Sequence, residues 1–287
     1  MPAGFHPGEL AVQERAGVRE RAARVGGSIH QEMPAAARAF LEQRRYVVLA
    51  TADSAGRPWA SVLRGPAGFV GAPNPRTVRL EAAPIPGDPL AENLQTAELV
   101  GLLAIDLATR RRMRVNGRLS RADGAILIGI DQLYANCPKY IQSREAEPST
   151  SAERRAVRRS AGLTAAQRAW IAGADTFFIA TLNPGEGADA SHRGGAPGFV
   201  TVEGNRLVWP DYAGNMMYNT LGNIAAHPRA GLLFPDFETG SVLLLTGRAG
   251  IDWDPSRSAA VPGAQRLVAL EVEEAVEIRA ALTAENR

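Results

Sequence analysis

The chain contains a long internal repeat. Positions 35–118 align with 165–248 at a constant offset of 130 and without a gap, and 23 of the 84 aligned pairs are identical. Ala50-Thr51 meets Ala180-Thr181, Ala60-Ser61 meets Ala190-Ser191, and the run Gly65 to Val70 meets Gly195 to Val200. Gly101-Leu102-Leu103, Asp106, Thr109 and Gly117-Arg118 recur as Gly231-Leu232-Leu233, Asp236, Thr239 and Gly247-Arg248. Solenoid units repeat every roughly 20–50 residues, so this period is that of a whole domain duplicated. The 287 residues accommodate two domains of roughly 100–150 each. The expected organisation is a polar, helical extension over 1–33, a first unit over 34–141, a linker over 142–163 and a second unit over 164–287. A functional site is then to be sought where the two copies differ.

Composition narrows the partners. With 45% apolar and 22% charged residues the chain is an ordinary globular protein. A net charge of +2 makes no case for nucleic acid. No run of 18 apolar residues offers a membrane span. The expected partner is a small-molecule substrate, with neither nucleic acid nor membrane. Cys137 is the only cysteine, which excludes an intrachain disulfide and fits a reducing compartment. Charges over Gly8–Arg15 stand where a signal peptide needs its apolar run, so a cytoplasmic location is expected.

Short β-type runs separated by turn residues dominate each copy. In the first these are Tyr46–Thr51, Trp59–Leu63, Gly68–Val70, Thr77–Leu80, Val100–Leu107, Met113–Leu119 and Ala125–Ile130. A short amphipathic helix opens at Pro34, and Asp88-Pro89 starts another that runs to about Glu98. In the extension, Ala11 to Val25 reads as one helix. Few helices and many short, largely antiparallel strands predict a mainly β fold, with each copy a small closed barrel.

The motifs of the second copy point to a family. Asp189-Ala-Ser-His-Arg-Gly-Gly-Ala-Pro-Gly-Phe-Val200, Tyr212-Ala-Gly-Asn215, Asn219-Thr-Leu-Gly-Asn223, His227-Pro-Arg-Ala-Gly-Leu-Leu233 and Leu245-Thr-Gly-Arg248 together resemble the pyridoxamine 5'-phosphate oxidase-like family. Asn136-Cys-Pro-Lys-Tyr-Ile141 resembles a segment of its two-copy members, and the likeness spans roughly residues 34–250. The resemblance implies two tandem split β-barrels, six-stranded, antiparallel and of Greek-key type, with short flanking helices. It implies FMN bound between two barrels, and a flavin-dependent oxidoreductase acting on an unidentified small organic substrate. Either a pseudo-dimeric monomer or a homodimer satisfies that arrangement.

Site candidates follow from the asymmetry between copies. Ser191, His192 and Arg193 lie on one strand where the first copy has Ser61, Val62 and Leu63. This charged pair serves either phosphate or ring contact, or a solvated strand end. Asn215, Asn219, Thr220 and Asn223 replace Ile85, Pro89, Leu90 and Asn93. The last three share a helix face that could cradle phosphate or ribityl oxygens, or merely cap and turn. Arg112, Arg114 and Asn116 alternate along one strand face, where the second copy has Val242, Leu244 and Thr246. The complementary asymmetry fits one composite site between the halves, with its mirror image lost. Lys139 is either a further cation of the site or a solvated side chain, and Tyr212 and Trp209 either wall a flavin ring or pack as plain core. The Ser-Arg-Lys-like phosphate clamp of oxidases acting on pyridoxamine phosphate is replaced by Asn215-Met216-Met217, which weakens that particular assignment.

No metal site is expected from the four scattered histidines, and no catalytic side chain is assigned. FMN is the expected cofactor. FAD remains open. So do haem, for which His192 and His227 are the available ligands, and the deazaflavin F420, whose anionic tail would suit Arg112, Arg114 and Arg118. The alternative function is a non-enzymatic flavin- or haem-binding protein, or an F420-dependent reductase.

Overall fold

The structure is a computed structural model that describes residues 4–144 and 155–282. Two helices, α1 (Pro7–Arg15) and α2 (Arg19–Gly26), come first. The first unit follows as α3 (Ala35–Glu42), β1 (Tyr46–Ala52), β2 (Pro58–Arg64), β3 (Val70–Asn74), β4 (Thr77–Leu80), α4 (Leu90–Thr96), β5 (Leu99–Asp106), β6 (Arg111–Ala122) and β7 (Ala125–Asn136). After β8 (Ala156–Ser160) the second unit begins with α5 (Ala165–Gly173), β9 (Thr176–Asn183), β10 (Gly187–Gly194), β11 (Thr201–Glu203), β12 (Arg206–Tyr212) and α6 (Asn219–Ala226). It ends with β13 (Arg229–Pro235), β14 (Val242–Asp252), α7 (Pro255–Ala259) and β15 (Ala264–Arg279).

The two sheets have the same strand order. One runs β2-β1-β5-β6-β7-β4-β3 and the other β10-β9-β13-β14-β15-β12-β11. The mainly β, tandem split-barrel expectation holds, but neither sheet closes by hydrogen bonds and each path has seven strands instead of six. The short β3 and β11 supply the extra strand. The other unit covers one end strand of each path, β2 packing on β9, β13 and β14 while β10 packs on β1, β5 and β6. Each barrel has its own apolar interior, Leu49, Leu63, Val78 and Leu102 in one and Ile179, Trp209, Leu232 and Leu270 in the other. A third cluster, with Val48, Trp59, Val62, Phe178, Leu233 and Leu244, joins the two.

The recurring glycines Gly101 and Gly231 explain that close approach. A Cβ on Gly101 would lie 2.7 Å from the Ala190 nitrogen, and one on Gly231 would lie 2.7 Å from the Trp59 Cα. Each glycine therefore lets the other unit's strand lie directly on its own.

The extension does more than the sequence indicated. The single helix expected over Ala11–Val25 is broken at Gly17, whose φ of +65° ends α1, and α1 packs on α6 of the second unit with Glu9, Val12 and Gln13 buried. Of the expected linker 142–163, residues 145–154 lie outside the described residues, while Ala156–Ser160 pairs as β8 with the end of β15.

Candidate functional site

The contact between units builds a cleft of about 150 Å³ from both copies. Strand β6 presents Arg112 and Arg114 across to β10, which carries Asp189, Ser191, His192 and Arg193. The segment after β7 brings Lys139 and Tyr140, and the loop from β12 to α6 brings Asp211 to Thr220.

Asp189 is the hub beneath this cleft. Its buried carboxylate accepts from Arg114 Nη1 at 3.0 Å, Thr220 Oγ1 at 2.9 Å and Tyr134 OH at 3.3 Å, joining both units and α6. Ser191 Oγ accepts from Arg114 Nη2 at 2.5 Å and also from Arg193. Arg112 donates to the Cys137 carbonyl at 2.8 Å and faces His192 Nδ1 at 3.1 Å. A guanidinium has only donors, so Nδ1 accepts and the His192 proton sits on Nε2.

The electrostatics are those of a site short of an anion. Burial, together with Arg114 and Arg193, pulls the Arg112 guanidinium down to about 9. Burial lowers Arg193 as well. Burial and the neighbouring Arg112 and Arg193 hold His192 well below its ordinary 6.5, so it is neutral. Among the described residues, Arg112 Nε, Arg114 Nε and His192 Nε2 are buried donors without a partner, and Asn136 Oδ1 and Asn219 Oδ1 are buried acceptors without one. Unsatisfied buried groups cost about 1–3 kcal/mol each, which a ligand offering oxygens to the donors and hydroxyl or N–H groups to the acceptors would recover.

Tyr140 and Tyr212 stack at the rim with ring centroids 5.0 Å apart. Tyr140, Met216 and Tyr218 all line the cleft in the left-handed backbone region, with φ of 63°, 63° and 61°. Non-glycine residues held there cost on the order of 1–3 kcal/mol each, and such strain clusters at functional sites.

The structure brings together Arg112, Arg114, Lys139, His192, Arg193, Tyr212, Asn215, Asn219 and Thr220 as cleft lining. Ser191 lies just beneath, fully buried. Asn116 and Asn223 line a separate cavity. The shared helix face read for Asn219, Thr220 and Asn223 is therefore divided among three partners. Asn219 donates to Glu9 Oε1 at 2.6 Å, Thr220 to Asp189, and Asn223 to Thr181 Oγ1 at 3.0 Å. The first copy repeats that last bond, Asn93 to Thr51 at 3.1 Å, so Asn223 fastens its helix to its strand.

Asn215 turns its own loop by accepting from the Met217 N–H at 3.1 Å. Trp209 is not a cleft wall, since it packs inside the second barrel against Phe177. His227 faces the Gly56 carbonyl at 3.2 Å, and neither it nor Arg118 lines the cleft. The close approach at Gly194 is made by the Tyr140 carbonyl.

Sequence reasoning missed Asp189, Glu9, His6, Tyr140 and Asp211. Asp189 had a signal, because its repeat mate is the bulky Trp59. The extension has no counterpart in the second copy, so nothing singled out Glu9 and His6. Burial pushes Glu9 up to about 8, and His6 Nε2 faces Asn223 Oδ1 at 2.9 Å.

The profile described as pyridoxamine 5'-phosphate oxidase matches residues 33–161 and again 163–282. The chain belongs to that family. Both copies are thus members of the pyridoxamine 5'-phosphate oxidase family in tandem. No curated protein matches significantly. Among solved structures, HupZ from Group A Streptococcus is 13% identical, covering 39% of this chain and 90% of its own, with a TM-score of 0.32. An FAD-binding protein from Mesorhizobium loti is 14% identical over 42% of this chain and 97% of its own, at 0.31. An FAD-binding protein from Mycobacterium smegmatis is 15% identical over 43% and 98%, at 0.28. These likenesses are too weak to carry anything about ligand or reaction. Among the described residues no helix is long and apolar enough to cross a membrane, and no group of three His, Cys, Asp or Glu is placed to hold a metal.

Proposed function

We propose that this protein is a flavin-dependent oxidoreductase that holds FMN in the composite cleft and acts on a small organic substrate. The observation that carries this reading is the meeting of Arg112 and Arg114 from one unit with His192 and Arg193 from the other, around buried donors that lack partners. The donor set fits the group. Arg112, Arg193 and Lys139 supply cations for a phosphate, and Asn136 supplies an acceptor for a ribityl hydroxyl. Tyr140 and Tyr212 offer flat surfaces to a ring.

When bound, the isoalloxazine supplies reversible hydride acceptance, and the protein supplies position and electrostatics. Asp189 and Ser191 fix the Arg114 guanidinium between the units. His192, neutral with its proton on the unpartnered Nε2, offers the ligand a hydrogen-bond donor and adds no charge.

The test is the visible absorption spectrum of the purified protein, with identification of what heat releases. One FMN per chain is expected. Arg112→Ala should weaken FMN binding roughly 10–100-fold, the worth of one or two charge-assisted hydrogen bonds. A spectrum without flavin bands, left unshifted by added FMN, would overturn the proposal. Given that binding, oxidation or reduction of small organic compounds by the holoprotein tests the enzymatic part.

A further inference from the structure

A second cavity, of about 40 Å³, shares Asn219 with the cleft and is closed on one side by α1. Beside the acidic Glu9, Asp131, Glu186 and Asp189 its polar wall holds amides and His6, whose Nε2 faces Asn223 Oδ1 at 2.9 Å, with no lysine or arginine among the described lining residues. Where the cleft has donors to spare, this cavity has acceptors to spare. Asn116 spends its amide N–H on Gln132 Oε1 at 3.2 Å, which leaves Oδ1 buried without a partner. Asn219 spends its own on Glu9, and its Oδ1 is likewise orphaned. Glu186 Oε2 is the third such atom. Asn116 and Asn219 are only 6% and 4% exposed, so bulk water does not satisfy them.

All three orphans are oxygens, and the arginine beside them, Arg114, is committed to Asp189, Ser191 and Tyr134. A cavity whose unpartnered buried atoms are all acceptors, walled in part by Asp131 and Glu186, is complementary to a cation. The feature belongs to this side of the molecule alone. Thr246, the repeat mate of Asn116, spends its hydroxyl on the Pro58 carbonyl at 2.8 Å.

We propose that this cavity binds a hard monovalent cation, sodium or potassium, through Glu186 and the amide oxygens of Asn116 and Asn219. Calcium would demand more anionic ligands than are grouped here, whereas amide oxygens suit a singly charged hard ion. The ion would tie α6 to β6 and fix Asn219, whose amide faces both cavities. The inference stands independently of flavin binding.

The experiment is thermal melting of the full chain without added cofactor, at constant ionic strength. Tetramethylammonium chloride, too large for the cavity, is replaced stepwise by KCl or NaCl. A saturable rise on the order of 3 °C is expected, and Asn116→Leu and Glu186→Gln, two independent variants, should each abolish the dependence while still melting cooperatively. A rise that persists in both variants would put the ion elsewhere and overturn the proposal. Melting curves independent of the cation would show that water fills the cavity and overturn it too. A response to CaCl2 alone would overturn the monovalent assignment.

Discussion

The duplication gives this molecule two equivalent grooves between the same pair of units, and they have diverged in opposite directions. One is lined by Arg112, Arg114, His192 and Thr220; of their repeat mates, Val242, Leu244 and Val62 join the apolar cluster between the units and Leu90 sits in the core of the first barrel. Ile85, the mate of Asn215, joins the cluster between the units. What survives as a groove there is walled mainly by apolar residues such as Tyr46, Val62, Phe178 and Val242, with Arg45 and Arg64 also lining it. Strand β8 closes in from one side, with Val157 against Gly87. Even the shared serines differ in use, since Ser191 accepts from Arg114 while Ser61 donates to Asp88 at 2.6 Å. The lesson is a division of labour. Apolar area removed from water, at about 25 cal/mol per Å², lets one groove hold the units together so that the other can stay polar.

The comparison breaks most readily at Arg114. Giving it the residue of its mate, as Arg114→Leu, leaves the Asp189 carboxylate buried and unpaired and should cost about 3–5 kcal/mol in urea unfolding. Asp189→Asn added to that variant should recover most of the loss, and failure to recover would mean that the charge is not what matters.

A smaller effect tests the symmetry of the contact. Gly101→Ala and Gly231→Ala should each cost about 1–3 kcal/mol, and the two losses should agree within roughly 0.5 kcal/mol if the units approach equally closely. Unequal losses would assign the two strand crossings different tightness.

The smallest effect belongs to the apolar side and depends on pH. Complete burial raises the Asp88 carboxyl from 3.8 to about 6, and one of its oxygens has no partner among the described residues. A raised carboxyl stabilises the fold below its unfolded value, and that contribution is lost as pH rises through about 6. Asp88→Asn should therefore melt with wild type at pH near 4 and gain roughly 1–2 kcal/mol at pH near 8. An equal difference at both pH values would show that the carboxylate charge is irrelevant.

Much of the fold was legible because its causes are local. Alternating β-branched and apolar runs such as Tyr46–Thr51 mark strands without help from the rest of the chain. The site was legible in part, through positions where charged residues in one copy face aliphatic mates in the other. Asn223 was misread because its amide serves a helix-to-strand bond that both copies share. Trp209 stayed open between core and ring wall because an aromatic at a strand position does not reveal which face it takes when both are buried, and it packs as core.

The sequence by itself determined that the chain is two copies of one mainly β unit, and that Arg112, Arg114, His192 and Arg193 have aliphatic repeat mates. Fixed-offset identity and short-range patterning suffice for that. Only the tertiary structure decided which side chains meet. Arg114 finds Asp189 75 residues away, and Asn219 finds Glu9 210 residues away. Such pairings depend on how whole strands and helices pack across units, and no local pattern of residues encodes that.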